Sequence, residues 1–172
     1  MAKKKSFRAA ESKILSRDQI AEISRSAKAD GKTVVFTNGC FDILHIGHVR
    51  YLQDARALGD VLVVGLNSDE SVKRLKGPER PVVNELDRAE ILAALECVDY
   101  LSIFPEDTPI ELLEAVRPSI HVKGGDYKVE DLAEAPTVLK HGGKVQIVSF
   151  TSTATEGRST SNIIGRIVEK HR

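Results

Sequence analysis

The stretch Thr37-Asn38-Gly39-Cys40-Phe41-Asp42-Ile43-Leu44-His45-Ile46-Gly47-His48 decides how the rest of the chain is read. A β-rich run, Thr33 to Thr37, leads into it. A helical run, Ile46 to Leu58 with Gly59 expected as its C′ residue, leads out, and a near-continuous apolar run, Val61 to Leu66, comes next. Strict alternation would mark a strand with one wet face. An unbroken apolar run needs cover on both faces, which a parallel sheet with right-handed helical crossovers supplies. The stretch therefore sits at the first turn of a βαβ unit.

The same pattern continues on both sides. Ser16 with Gln19 forms a capping-box pattern, and Ile20, Ile23 and Ala27 recur at helical spacing before Gly31. Downstream, Asn84 caps a helix through Ala94, Tyr100 to Phe104 reads as a strand, and Thr108-Pro109 opens a helix. Ile120 to Lys123 and Val145 to Phe150 read as strands, the second after the Gly142-Gly143 break, and Ser159 caps a last helix. Strands alternating with helices predict an α/β fold: a Rossmann-like doubly wound parallel sheet of about five strands in a single domain. Residues 15–172 are assigned to that domain. Residues 1–14, with Lys3, Lys4, Lys5 and Arg8 and no periodicity, are expected to form a flexible tail. Ligands of such sheets bind outside the C-terminal strand ends, so the segments after Thr37, Leu66, Lys123 and Phe150 are expected to share one crevice.

Composition removes several function classes. Of 172 residues, 25 are Lys or Arg and 25 are Asp or Glu, so the zero net charge disfavours nucleic-acid binding through bulk charge. No run approaches the ~18 apolar residues of a membrane span, and no signal-peptide pattern follows the N-terminal lysines. Two cysteines, Cys40 and Cys97, call for no disulfide framework. A cytoplasmic protein is expected.

His45 and His48, three apart at a helix start, place both imidazoles near one face, and Gly47 between them permits close backbone approach. Two imidazoles beside helix N-terminal amides suit a phosphorus centre that gains charge during in-line displacement. Cys40, His45 and His48 also offer three zinc donors, although no fourth is evident and the glycines would go unexplained.

Gly39-Cys40-Phe41-Asp42 with His45-Ile46-Gly47-His48 resembles the signature of the cytidylyltransferase-like nucleotidyltransferases. Asn67 to Val72, Arg74-Leu75-Lys76-Gly77, Arg80-Pro81-Val82, Asp87-Arg88, Val98-Asp99-Tyr100, Glu106 to Pro109, Val122 to Tyr127 and Ser159 to Ile164 narrow the likeness. They resemble the adenylyltransferase domain of heptose 1-phosphate adenylyltransferases. The resemblance implies transfer of AMP from ATP to D-glycero-D-manno-heptose 1-phosphate, of β configuration. The products would be pyrophosphate and an ADP-heptose for bacterial surface glycan.

It further implies Mg²⁺ carried with ATP through phosphate oxygens and water, no resident metal, and no nucleic-acid or membrane partner. A homo-oligomer is compatible with it. In that family the domain is often fused behind a sugar kinase, for which this chain has no room, so a separate heptose kinase and phosphatase are expected. CTP with glycerol phosphate, GTP with a heptose phosphate, and a non-catalytic nucleotide-binding module are the alternatives. Ala154 stands where CTP-dependent relatives commonly carry Arg before Thr-Glu-Gly, which points away from cytidine; Arg158 has no assigned role.

Site residues follow from resemblance and chemistry together. His45, His48 and Lys76 are expected to carry catalysis, the histidines at the α-phosphate and the lysine as a mobile loop cation. Asn38, Gly39, Cys40, Phe41, Gly47, Gly124 and Asp126 are expected around the nucleotide, and Ser159, Thr160 and Ser161 at the β- and γ-phosphates through a helix N-terminus. Asp42, Asp69, Arg80, Arg88 and Lys123 are expected to contact substrate phosphate or position loops, with Lys123 and Arg88 neutralising negative charge. Glu106 to Pro109 is read as a helix start, and His121 is given no role.

Overall fold

The computed structural model describes residues 8–125, 128–148 and 159–171. The elements run α1 (Arg17–Ala29), β1 (Val34–Gly39), α2 (Ile46–Arg56), β2 (Val61–Asn67), α3 (Asp69–Lys76), α4 (Glu85–Ala94) and β3 (Tyr100–Phe104). There follow α5 (Ile110–Val116), β4 (Ile120–Gly124), α6 (Ala135–Lys140), β5 (Lys144–Val148) and α7 (Thr160–Lys170). All strand pairs are parallel, in the order β3-β2-β1-β4-β5. The winding direction reverses between β1 and β4, so their C-terminal ends diverge into different crossovers and leave a crevice.

The unbroken apolar strands have the predicted cause. Val35, Leu62, Val64, Leu66 and Val122 face Tyr51, Leu52 and Ala55 of α2 and Ala89 and Leu92 of α4. Their neighbours Val34, Phe36 and Val63 face Ile20 and Ala27 of α1 and Leu112, Leu113 and Val116 of α5. Two dry layers, one on each side, leave no polar face for β1 or β2.

The helix starts follow local chemistry. Ser16 and Gln19 close the reciprocal capping box, Asn84 accepts from the amides of Leu86 and Asp87, and Ser159 accepts from Asn162 N. Gly59 differs from expectation: α2 ends at Arg56 with Ala57 as its C-cap, and Gly59 is not in the left-handed region. Glycine is needed there because a Cβ would lie 2.7 Å from Thr33 O.

Ala10 to Ile14, expected within the flexible tail, are part of the fold. Ala10–Lys13 forms a 3₁₀ turn, Ile14 bridges to Leu101 at the β3 edge, and Lys13 is buried with Nζ donating to Val98 O (2.8 Å) and Leu95 O (3.2 Å). A basic residue that caps carbonyls at a loop turn is ordered by those bonds, which charge and missing periodicity do not reveal. The helix α6 and a 3₁₀ turn at Val129–Asp131 were not anticipated either. Six residues with Pro136 in the first turn are too few to show a period. The strand expected over Val145 to Phe150 is Lys144–Val148, with Ser149 and Phe150 outside the described residues. No helix among the described residues is long and apolar enough to cross a membrane.

Candidate active site

A cavity of about 860 Å³ opens at the C-terminal edge of β1, β2 and β4 and is walled further by the starts of α2 and α7. Asn38, Gly39, Cys40, Phe41, Asp42, His45, Gly47 and His48 form its floor, all from the end of β1 and the stretch that follows it. Lys76, Arg80, Lys123, Gly124, Ser159, Thr160 and Ser161 join them from distant segments.

The floor is built by a sharp turn. Phe41 takes a left-handed conformation (φ 43°), and its ring lies so close beneath Gly39 that a Cβ there would meet Phe41 Cε2 at 3.1 Å. The ring meets His48 edge-on, with centroids 5.2 Å apart. His45 is the N-cap of α2, its Nδ1 accepting from Gly47 N at 3.1 Å. That bond places the proton of the neutral ring on Nε2, leaving it as a donor. The two imidazoles stack, centroids 3.8 Å apart. Burial lowers the pKa of His45, and burial with the neighbouring His45 lowers that of His48 to about 4. Both rings are thus neutral N–H donors near pH 7 before a polyanion arrives. His48 Nδ1 is buried with no hydrogen-bond partner.

The loop between α3 and α4 is tied to the same floor. Asp42, buried, accepts from Arg80 Nε (2.5 Å), Val82 N (2.8 Å) and Val83 N (3.0 Å). Lys76, at the end of α3, lines the cavity, and among the described residues no carboxylate pairs with it. On the opposite side, Lys123 Nζ lies 2.7 Å from Glu134 Oε1 and donates to Asn38 Oδ1 at 3.3 Å. At α7, Ser159 caps the helix and Thr160 Oγ1 reaches Ile43 O at 3.4 Å, fastening this N-terminus against the histidine loop.

Two residues expected to contact substrate phosphate or position loops, Arg88 and Asp69, do not line the cavity. Arg88 is fully buried and donates to Val83 O, Cys40 O, Asn67 O and Asp69 Oδ1. Every arm of its guanidinium is committed to the chain, so Arg88 and Asp69 hold loops together and the expectation that Arg88 neutralises substrate charge is corrected. Lys123 reaches the cavity as an ion-paired group and not as a free cation. Asp126 and the Ala154 to Arg158 segment lie outside the described residues.

Several lining residues were missed. Asp107, Thr108 and Pro109 border the cavity, although they were read only as a helix start. They directly follow the end of β3, and the strand-end rule applied to that strand would have found them. Glu134 precedes α6, the helix that left no readable pattern, and nothing in the sequence marked it. Asn67 and Leu75 also line the wall.

A parallel five-stranded sheet, a His-x-Gly-His helix start and a cation loop closing on one crevice define a nucleotidyltransferase-type site, and a cytidylyltransferase-like family profile matches residues 36–166. The chain belongs to that cytidylyltransferase-like family. It is 55% identical over 161 residues to the bifunctional protein HldE of Pelobacter propionicus, covering 94% of this chain and 32% of that protein. It is 53% identical over 161 residues to that of Syntrophotalea carbinolica, with the same coverage. The chain spans about a third of the length of the curated relatives it matches. A crystal structure of the lipopolysaccharide core biosynthesis protein from Thermoplasma volcanium superposes with a TM-score of 0.57 at 34% identity, covering 69% of this chain and 96% of that one.

Proposed function

We propose that this protein transfers AMP from MgATP to D-glycero-D-manno-heptose 1-phosphate of β configuration, releasing pyrophosphate and ADP-heptose for surface glycan synthesis in the cytoplasm. The observation that carries the reading is the convergence of His45, His48, Lys76 and the N-terminus at Ser159 to Ser161 on one cavity, in a chain of this family. The structural relative, a lipopolysaccharide core biosynthesis protein, supports the glycan context.

In this reading a phosphate oxygen of the sugar phosphate attacks the α-phosphorus, the bond to the bridging oxygen breaks, and pyrophosphate leaves in line. The acceptor is already largely ionised near neutral pH, since phosphate monoesters have a second pKa of about 6, so no strong base is needed. His45 Nε2–H and the His48 ring stabilise charge on the α-phosphate, and the free amides of α7 receive the outer phosphates. Lys76 supplies a cation at the cavity wall.

Asp42 is already held by Arg80 and two amides, so Mg²⁺ would enter as a companion of ATP through phosphate oxygens and water. Bound with the triphosphate, the ion would neutralise phosphate charge. A kinase and a phosphatase acting on the heptose would supply the acceptor.

Pyrophosphate release with ATP, CTP, GTP and UTP against heptose 1-phosphate of each anomer and glycerol 3-phosphate tests the reading. Turnover confined to ATP with the β-heptose phosphate is expected, and His48→Ala should lower kcat/KM by about 10²–10³, the usual loss when one charge-stabilising donor is removed. Turnover only with another pair would reject the assigned substrates, and nucleotide binding without turnover would reject catalysis.

A further inference from the structure

Each carboxylate on the cavity wall is spoken for. Asp42 holds Arg80, Asp107 accepts from Arg74 Nε at 2.8 Å, and Glu134 pairs with Lys123. The last pair is largely secluded from solvent. The Glu134 side chain is 7% exposed, whereas that of Lys123 is 20% exposed and faces the cavity. His121, fully buried, places Nε2 3.5 Å from the same Glu134 oxygen, and burial lowers its pKa, so Lys123 alone balances the carboxylate near pH 7. Burial opposes ionisation of Glu134, but the adjacent His121 ring and the Lys123 ammonium outweigh it and hold its pKa at about 2.

An ammonium has three N–H donors. One of Lys123 is directed to Asn38 and the ammonium is ion-paired with Glu134, which leaves N–H capacity for a ligand. With a carboxylate 2.7 Å away the pair is a dipole and not a net charge, so its attraction for a phosphate is mostly cancelled. A directed donor with its charge cancelled suits a neutral oxygen or nitrogen.

We propose that Lys123, fixed by Glu134 and Asn38, donates a hydrogen bond to an uncharged acceptor on a bound substrate, a hydroxyl or ring nitrogen of the nucleoside or the sugar. Glu134 is the positioning residue that keeps this lysine from acting as a phosphate clamp. The proposal rests on reading the cavity as a site for a nucleotide and a sugar phosphate. It adds which part of those ligands Lys123 recognises.

Calorimetric affinities for AMP, ADP, ATP, free heptose and heptose 1-phosphate, measured on wild type, Lys123→Met, Glu134→Gln and the double variant, test it. The double variant, which leaves no net charge at this point of the wall, should weaken one ligand set, nucleotides or sugars, by about tenfold and by the same factor whatever its phosphate count. Lys123→Met alone uncovers the Glu134 carboxylate and should lose further affinity with each added phosphate. The set that responds identifies the source of the acceptor. Glu134→Gln frees the lysine charge, so the ratio of ATP to AMP affinity should rise severalfold, and less at high salt.

A loss in the double variant that grows with phosphate number, no loss for any ligand, or an unchanged ATP to AMP ratio in Glu134→Gln overturns the proposal. Should a single variant fail to melt cooperatively, the double variant leaves no unpaired charge and must still show the phosphate-independent loss. Wild type that binds none of these ligands rejects the cavity reading and the proposal together. Wild type that turns over while the double variant shows phosphate-dependent loss rejects the proposal alone.

Discussion

His48 shows how a side chain is prepared by its surroundings. Stacked on His45, edge-on to Phe41 and largely buried, it is held neutral, with its pKa lowered to about 4. The unfolded chain, where histidine titrates near 6.5, therefore takes up the proton first as pH falls. The stabilisation is complete above about 6.5 and is lost as pH drops towards about 4. His45 shifts in the same direction, and Glu134 contributes in the same sense lower down, between its ordinary 4.5 and about 2. Urea unfolding at pH 7 and pH 4.5 should show a loss on the order of 2 kcal/mol that shrinks in His48→Gln, given ~1.4 kcal/mol per unit of pKa difference. An equal loss in the variant would mean that His48 is not the titrating group.

Among the elements, the α3–α4 loop and the floor after β1 behave as one unit. Asp42 receives Arg80 and the amides of Val82 and Val83, while Arg88 from α4 returns to Cys40 O and Val83 O. Arg80 is thereby positioned by a carboxylate in the same motif as the histidines. Asp42→Ala leaves a guanidinium and two amides without their acceptor, and breaking such a buried pair costs about 3–5 kcal/mol. Chemical denaturation should show that cost, and hydrogen exchange at Val82 and Val83 should accelerate. Unchanged exchange at those amides would mean that other contacts hold the loop.

At the scale of the molecule, the site exists because the sheet reverses direction between β1 and β4 and both layers press the strand ends together. That packing is tight at Gly59, where the exit from α2 passes over Thr33 before β2 begins. A methyl group there would lie 2.7 Å from both Thr33 O and Val35 Cγ2. Gly59→Ala should cost about 1–3 kcal/mol, the usual range for overpacking, and lower Tm accordingly. A variant with unchanged Tm would show that the crossover relaxes at no cost.

What the sequence determined by itself is what lies in local pattern. Unbroken apolar runs such as Val61 to Leu66 specified parallel strands, Ser16, Asn84 and Ser159 specified helix starts, and the His45 to His48 spacing specified a pair of imidazoles on one helix turn. The strand-end rule then brought Lys76, Lys123 and Ser159 to the same crevice before any contact was seen. Only the tertiary structure decided which charges face a ligand. Arg88 and Arg80 look alike as loop cations, yet one is sealed inside the chain and the other lines the cavity. Glu134 was invisible until α6 carried it against Lys123, because a charge is defined by its partner, and its partner stands eleven residues away on another element.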